Sequence, residues 1–483
     1  MTTAALVISS VLKILFILLV VVGAFAPLLV WAERRQSAMI QDRLGPSRAG
    51  ISLPEGVVAM LDRARGPLWL GAVTTGLLAL LALFAVGVAV VRGSNPFPVP
   101  AEWLVWTLIT FALMSSLLRL GHAVHSTIVR NQGRIMLLGL LHPLADAVKF
   151  IFKEDFVPPK ADKLLHAAGP IIALIPAIAA FAVIPFASTL HLEHWNEVLP
   201  RVGEVTGAVV PMQVASLNVG ILFVFAIAST GVIGAAISGY ASDNKFSLLG
   251  GVRAASQMVS YEVVLGLTLV PCFMIYESLR LENMALWQSE HVWGIFIPPL
   301  TISFVLFFTA AVAETKRIPF DLPEGESELV GGYLTEYSGM KFGMFFMGEF
   351  VEVVALGAIA SVLFFGGWDL PFLYRDGIDL PGTWSFAVPA FGWTVSNTIP
   401  LMHWAVVAIQ VVFFLLKIVV FIWFQLMIRW SLPRFRYDQV MALCWKGLLP
   451  TTLLLILTTG FLVLVGAIDS WVELVSRFPW VWS

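Results

Sequence analysis

Charge is scarce in this sequence. Only 12% of its 483 residues are Asp, Glu, Lys or Arg and 59% are hydrophobic, where a soluble globular domain carries about 25% charged residues. That shortage excludes a soluble enzyme, a disordered chain and a nucleic-acid-binding module. Cysteine is scarcer still. Cys272 and Cys444 lie in separate apolar stretches without C-x-x-C spacing, so a disulfide-stapled domain is excluded. They cannot supply the four thiolates of an iron–sulfur cluster, and both read as core filler. A phosphate-binding glycine loop, an HExxH helix and a nucleophile elbow are also missing. Two histidine pairs at i,i+3 spacing, His122/His125 and His191/His194, lie near the ends of apolar runs. They read as interfacial anchors in preference to metal or haem ligands.

What the chain has in abundance is long apolar runs. Crossing ~30 Å of hydrocarbon takes about 20 residues at 1.5 Å each. Ten runs of that kind occur, at 4–31, 68–91, 103–120, 166–190, 213–240, 252–276, 293–313, 341–365, 400–429 and 447–468. They are apolar all round, which excludes the two-residue alternation of barrel strands. The first is too long for a signal peptide and lacks a small-residue cleavage site, so it reads as a retained span. The fold class is therefore an all-α polytopic membrane protein of about ten helices, a single membrane domain over 1–483. Pro170, Pro176 and Pro185 in the fourth run predict kinked or broken helices around an internal cavity. Gly234 and Ser238 in the fifth form a small-xxx-small pair for helix packing.

The basic residues set the orientation. With the N-terminus outside, segments 33–66, 119–165, 241–253, 314–341 and 429–446 face the cytoplasm and hold 22 of the 29 Lys and Arg. The outer segments hold Arg92, Arg201, Arg280, Arg375 and Arg477, while Lys13 and Lys417 lie inside spans. One cytoplasmic segment, 140–153, places Leu141, Leu144, Val148, Ile151 and Phe152 on one helical face, with Asp146, Lys149 and Lys153 towards the other. It is too short to span and reads as a helix lying in the interface, ended by Pro158-Pro159.

Acids appear where the pattern does not require them. The stretch ETKRIPFDLPEGESELVGGYLTE (314–336) carries Glu314, Asp321, Glu324, Glu326, Glu328 and Glu336 against two basic residues. It reads either as a solvated acidic turn or as a cluster whose carboxylates, crowded beside Ile318, Phe320, Leu329 and Val330, raise one another's pKa and hold exchangeable protons. Inside spans, Glu262 follows Ser260-Tyr261, and Glu349 and Glu352 lie one turn apart. A charge at the bilayer centre costs at least ~2.5 kcal/mol, so such acids face protein or water. They are either neutral acids bonded to a neighbouring helix or a proton relay; Glu352 could also snorkel or bond locally.

The cytoplasmic motifs carry a resemblance. The runs ERRQSAMIQDRLGPSRAG (33–50), LLHPLADAVKFIFKEDFVPPKAD (140–162), GYASDNKFSLLGGVRAASQMVSYEV (239–263), AETKRIPFDLPEGESELVGGYLTEYSGMKF (313–342) and LPRFRYDQ (432–439) resemble, in order, those of the H-type membrane component of NADH–quinone oxidoreductase. That is the bacterial complex I component whose mitochondrial counterpart is NADH dehydrogenase subunit 1. The resemblance implies a multi-pass protein of the bacterial inner membrane with no redox centre of its own, no covalently bound cofactor and quinone as substrate. By the same resemblance it would sit at the heel of the complex, beneath peripheral-arm subunits that carry FMN and the iron–sulfur clusters. It would also contact small membrane subunits leading to the antiporter-like ones. Carried across motif by motif, Arg34, Asp146, Arg253, Arg317 and Phe320 would line or shape the quinone path, with Glu33 beside Arg34. Glu262, Glu314, Asp321, Glu324, Glu326, Glu328 and Glu349 would form an acidic funnel, with Glu336 near it.

The chain departs from that pattern in places. The family shows eight spans; here residues 51–131 intervene and contain the second and third runs, an even number that preserves orientation downstream. This hairpin reads as a lipid-facing addition or a docking site. Ser47 and Lys316 stand where the family has Asn, and His142 where it has Gln. Lys316 is expected to place a positive charge beside Glu314. The outer segment 366–399, rich in Trp, Pro and Gly, reads as a lid or contact surface. Three other readings remain open at this point: the membrane component of an energy-converting hydrogenase or formate hydrogenlyase, a stand-alone secondary transporter, and a purely structural anchor. No internal repeat of the transporter kind is visible, and the acids within spans argue against an anchor.

Overall fold

A computed structural model describes residues 3–43, 45, 46, 51, 52, 76, 118, 134, 135, 139–191, 209–325, 330–374, 377–379, 385–388, 393–396, 398–400 and 403–476. Nearly all of the runs at 68–91 and 103–120, most of the 51–131 insertion, Glu326, Glu328, His122, His125 and His194 lie outside these residues.

Each of the other eight apolar runs is built around a helix among the described residues. In chain order the helices are α1 (Ser9–Ile40), α2 (Leu141–Phe152), α3 (Lys163–Val183), α4 (Gly220–Ala241), α5 (Lys245–Tyr276), α6 (Leu281–Glu290), α7 (Pro298–Glu314), α8 (Gly339–Phe364), α9 (His403–Ser431), α10 (Tyr437–Leu464) and α11 (Ala467–Ser476). Seven of them are long and apolar enough to cross a membrane, and α7, at 17 residues, is a shorter apolar helix. Among the described residues, strands are two to four residues long and form small sheets of two or three strands. The chain is a polytopic all-helical membrane protein.

Local chemistry sets the helix ends. Asp162 opens α3 by accepting from the backbone N–H of Leu164 and Leu165, and Asn244 opens α5 by accepting from Phe246. Pro298 and Pro299 begin α7, where a missing N–H costs nothing. Pro170 and Pro176 are accommodated inside α3, but the helix tightens over Ala180–Val183 and ends before Pro185. The residue before a proline is driven out of the helical region, as Ile184 is at ψ 121°. In α5 the break falls at Leu269, two residues before Pro271.

Contacts sort the chain into two compact units. The first comprises residues 1–33, 146–381 and 400–483; the second comprises 34–145 and 382–399. In the second, Ile51–Ser52 pairs antiparallel with Arg134–Ile135, and Ser385–Val388 with Trp393–Ser396. The first holds the helical bundle. There α8 is the central span, burying nearly every side chain from Gly348 to Phe364, and α3 and α9 pack against it. α3 also packs on α4, α4 on α5, and α5 on α7. At the α3–α4 crossing a Cβ on Gly234 would lie 2.8 Å from the backbone nitrogen of Ala173, so only glycine permits this approach. Phe304, Phe364, Phe365 and Phe421 pack edge to face with ring centroids 5.3–5.6 Å apart, joining α7, α8 and α9.

The basic segments mark the inner end of the bundle. At the outer end Lys417, within α9, donates from Nζ to the carbonyls of Phe365 (2.7 Å), Gly367 (2.9 Å) and Asp369 (2.6 Å) just past α8. Its ammonium lies 4.4 Å from the Trp293 ring, whose Nε1 donates to Asp369 at 2.9 Å. A helix leaves its last carbonyls unsatisfied; here a lysine from the neighbouring span caps the chain as it leaves α8.

Candidate functional site

Within the first unit, α3, α4, α5 and α8 line a partly open cavity of about 70 Å³, room for several waters. Its apolar walls include Ala173, Pro176, Val224, Ala228, Met258 and Leu356, and its polar lining is Glu262, Glu314, Lys316, Tyr333, Glu349 and Glu352. Four carboxylic acids thus share a space with one lysine. Glu314 is the last residue of α7, and Glu349 and Glu352 share a face of α8 because residues three apart are neighbours on a helix. Glu262, half-buried on α5, accepts a hydrogen bond from the Ser229 hydroxyl of α4. Glu314 and Glu349 are both buried, and one Glu314 oxygen has no hydrogen-bond partner among the described residues.

The lysine is committed to one of these acids. Lys316 Nζ lies 3.6 Å from Glu349 and donates to the Tyr333 hydroxyl at 3.2 Å, and that hydroxyl donates to Glu349 at 2.9 Å. Its positive charge also faces Glu314 across the same cavity, as expected, but its short contacts are not with that acid. The chain instead turns after α7 with Lys316 at φ 53°, which carries the ammonium across to α8. Burial works against the charged form of Lys316, but the surrounding carboxylates, Glu349 first, outweigh it and raise its pKa. Burial pushes the Tyr333 phenol well up, with Glu349 adding to the effect. Tyr333 sits in a tight turn, Gly332–Leu334, seated directly on α5. A Cβ on Gly250 would fall 2.5 Å from the Tyr333 nitrogen and 2.6 Å from the Gly332 Cα.

The neighbouring residue turns the other way. Arg317 stacks its guanidinium 4.2 Å from the Phe350 ring centroid and lies 3.6 Å from Glu33 of α1. Glu33 also pairs with Arg429 of α9. These groups and Gln425 line a hollow of about 20 Å³. Consecutive residues, Lys316 and Arg317, therefore meet consecutive residues of α8, Glu349 and Phe350, about 100° apart around the helix.

Glu324 is electrostatically part of the group. Burial raises its pKa well above the usual carboxylate value, and repulsion from Glu349 and then Asp321 raises it further. Asp321 lies to one side, paired with Arg434 at 2.7 Å; burial lifts its carboxyl to about 6 although that arginine opposes the shift. Phe320 is buried between the rings of Tyr261 (5.8 Å) and Phe435 (5.5 Å), and its carbonyl accepts from Gln257 at 2.9 Å. Arg253 faces the Tyr437 ring at 5.8 Å, and Asp146 pairs with Lys149 at 3.4 Å on α2. Glu336 bonds Asn244 at 2.7 Å, away from the cavity lining. Arg34 belongs to the second unit. Among the described residues no three His, Cys, Asp or Glu side chains are grouped as metal ligands.

The structure thus brings together Glu262, Glu314 and Glu349, with Glu324 acting on Glu349, and supplies partners that the sequence did not assign. Glu352 is a full member of the lining; its three-residue spacing from Glu349 was the signal. Lys316 and Tyr333 bind Glu349, and Ser229 binds Glu262, across helices.

The NADH dehydrogenase family model matches residues 103–460. An H-type NADH-quinone oxidoreductase subunit of Geobacter metallireducens is 42% identical over 336 residues, 70% of this chain and 87% of that protein. The corresponding protein of Cytophaga hutchinsonii is 39% identical over 68% of this chain and 84% of its own length. One from Syntrophobacter fumaroxidans is 39% identical over 81% and 98%. A family match across most of the chain, and relatives covered over more than four-fifths of their length, place this protein in the family of H-type NADH-quinone oxidoreductase subunits.

Proposed function

We propose that this chain is the membrane subunit of a proton-pumping NADH:quinone oxidoreductase. In this reading it forms the membrane side of the quinone chamber and begins the acidic relay that couples quinone reduction to proton translocation. The observation that carries it is the cavity where four carboxylic acids face one lysine in a setting that also has room for water. Such a set titrates as a unit and responds to any charge change beside it. Quinone reduction consumes two protons and alters the charge of the chamber. Arg317, stacked on Phe350 next to Glu349, lies where that change would be felt, and Arg34, Arg253, Asp146 and Phe320 complete the quinone path in this proposal. Glu262, Glu314, Asp321, Glu324, Glu326, Glu328, Glu336 and Glu349 carry the relay in this proposal, with Glu352 now included.

The chain works as one membrane domain of the bacterial inner membrane, with 140–153 lying in the interface and 51–131 an added hairpin. Its partners are peripheral-arm subunits bearing FMN and iron–sulfur clusters, and membrane subunits leading to antiporter-like ones. The test is Glu262→Gln and Glu349→Gln in the assembled complex. Both should assemble, and Glu349→Gln should slow coupled quinone reduction about a hundredfold, as expected for a lost proton-transfer group. Normal turnover with full proton stoichiometry in both variants would sink the relay.

A further inference from the structure

We propose that His166 and Tyr337 form a lateral proton port that feeds the acid cavity from the inner side of the bundle, with Phe345 as the wall between port and cavity. This rests on the relay reading above and assigns residues that reading does not use.

His166, in the first turns of α3, is completely buried and stacks flat on Tyr337, with centroids 4.1 Å apart and ring planes 6° apart. One ring nitrogen, Nε2, lies 3.4 Å from the Glu336 carbonyl, and Nδ1 has no partner among the described residues. The Tyr337 hydroxyl, also buried, faces the hydroxyls of Ser238 on α4 and Ser242 at its C-terminal end without a hydrogen bond of good geometry. Those hydroxyls already donate to backbone carbonyls, Ser238 to that of Gly234 (2.6 Å) and Ser242 to that of Ser238 (2.7 Å), so the hydroxyl oxygens remain able to accept. Space for the hydroxyls is kept by Gly169, where a Cβ would lie 2.2 Å from Ser238 Oγ and 3.4 Å from the Tyr337 oxygen. An imidazole and three hydroxyls thus meet at a helix junction where packing alone would be served by apolar side chains. Buried polar groups left unpaired cost ~1–3 kcal/mol each, an expense that calls for a reason.

Both ends of the line have somewhere to lead. On the solvent side, the charged groups facing the histidine are Glu336, Asp155 and Lys341, the last two paired at 2.9 Å at the rim. On the cavity side, Phe345 stands edge-on to Tyr337 at 5.1 Å and to Tyr333 at 5.5 Å; it lines the cavity, and Tyr333 donates to Glu349. One ring therefore separates the two polar groups. In the proposed step a proton reaches one nitrogen of His166 from the rim and leaves from the other to water held by the Tyr337 and serine oxygens. Rotation of Phe345 then lets it pass to Tyr333 and Glu349. No bond other than O–H and N–H is made or broken, and the proton is conserved.

The test uses membrane vesicles containing the whole complex, with NADH-driven quinone reduction and proton uptake followed in H2O and D2O. His166→Ala and Tyr337→Phe should each lower coupled turnover about tenfold and enlarge the solvent isotope effect. Added imidazole should restore much of the His166→Ala rate, which it would not do for a packing defect. If His166→Ala fails to assemble, Tyr337→Phe, lacking one oxygen, carries the decision. Wild-type turnover, pumping and isotope effect in Tyr337→Phe, or a slow His166→Ala that imidazole leaves unchanged, overturns the port. Glu349→Gln measured alongside separates the two ideas. If it alone stops pumping, the relay stands and the port falls; if it pumps normally, the relay itself has failed.

Discussion

Lys417 at the outer end of the bundle and Lys316 at the inner end are both lysines brought into the helical bundle, and their surroundings are opposites. Lys417 has three carbonyls at 2.6–2.9 Å, an aromatic face and the Asp369 carboxyl close by. Every donor is used and the set has one acid. Lys316 is outnumbered: one acid holds it, three more line the same cavity, and water has room to enter. A saturated buried charge fixes geometry, because removing one partner strands the rest. An unsaturated cluster has several proton arrangements of similar energy and can switch among them. Burial of charge does not by itself mark function; an imbalance of partners does.

The strongest way to break that contrast is at the saturated end. Lys417→Ala should leave three carbonyls and Asp369 without their cation and cost ~3 kcal/mol or more. The readout is a lowered thermal unfolding temperature and a reduced yield of assembled complex, with unchanged activity in whatever assembles. Full stability with lost proton pumping would show that the outer lysine is functional after all.

Asp321 is the intermediate case, one acid with one arginine. Its carboxyl stands at about 6, above the ordinary 3.8, so between those values the folded protein holds more proton than the unfolded chain. Stability should therefore fall as pH rises from about 4 to about 6 and level off above, by up to ~3 kcal/mol. Unfolding temperatures across that range should show a slope that Asp321→Asn flattens; an identical slope in the variant would remove Asp321 as its source.

The smallest effect is expected from Ser229→Ala, which takes one hydrogen bond from Glu262. A net ~1 kcal/mol should slow coupled turnover about fivefold, well short of Glu349→Gln. Equal losses in the two variants would mean that Glu262 is held as rigidly as Lys417.

The spans were legible because an apolar helix in lipid has only one way to satisfy its backbone. The acids were legible for the same reason: each is costly enough to stand out. Partnership was not. Lys316 is two residues from Glu314 in sequence, yet its left-handed backbone aims it at Glu349 on another helix. Glu33 meets Arg317 and Arg429 across three segments far apart in sequence. Lys417 reads simply as a charge in an apolar run, because the carbonyls it binds belong to a chain reversal that no local pattern announces. Glu352 is the one member that spacing alone could have supplied.

The glycine contact between α5 and the Tyr333 turn has a mechanical consequence. With backbone resting on backbone at Gly250, no flexible side chain lies between them to absorb displacement. A small axial shift of α5 is delivered undamped to the Tyr333 hydroxyl, and hence to its bond with Glu349. The same helix carries Glu262 and, near its inner end, Arg253. A sub-ångström push there would alter the spacing of two of the cavity's acids at once, like a lever with no slack in its pivot.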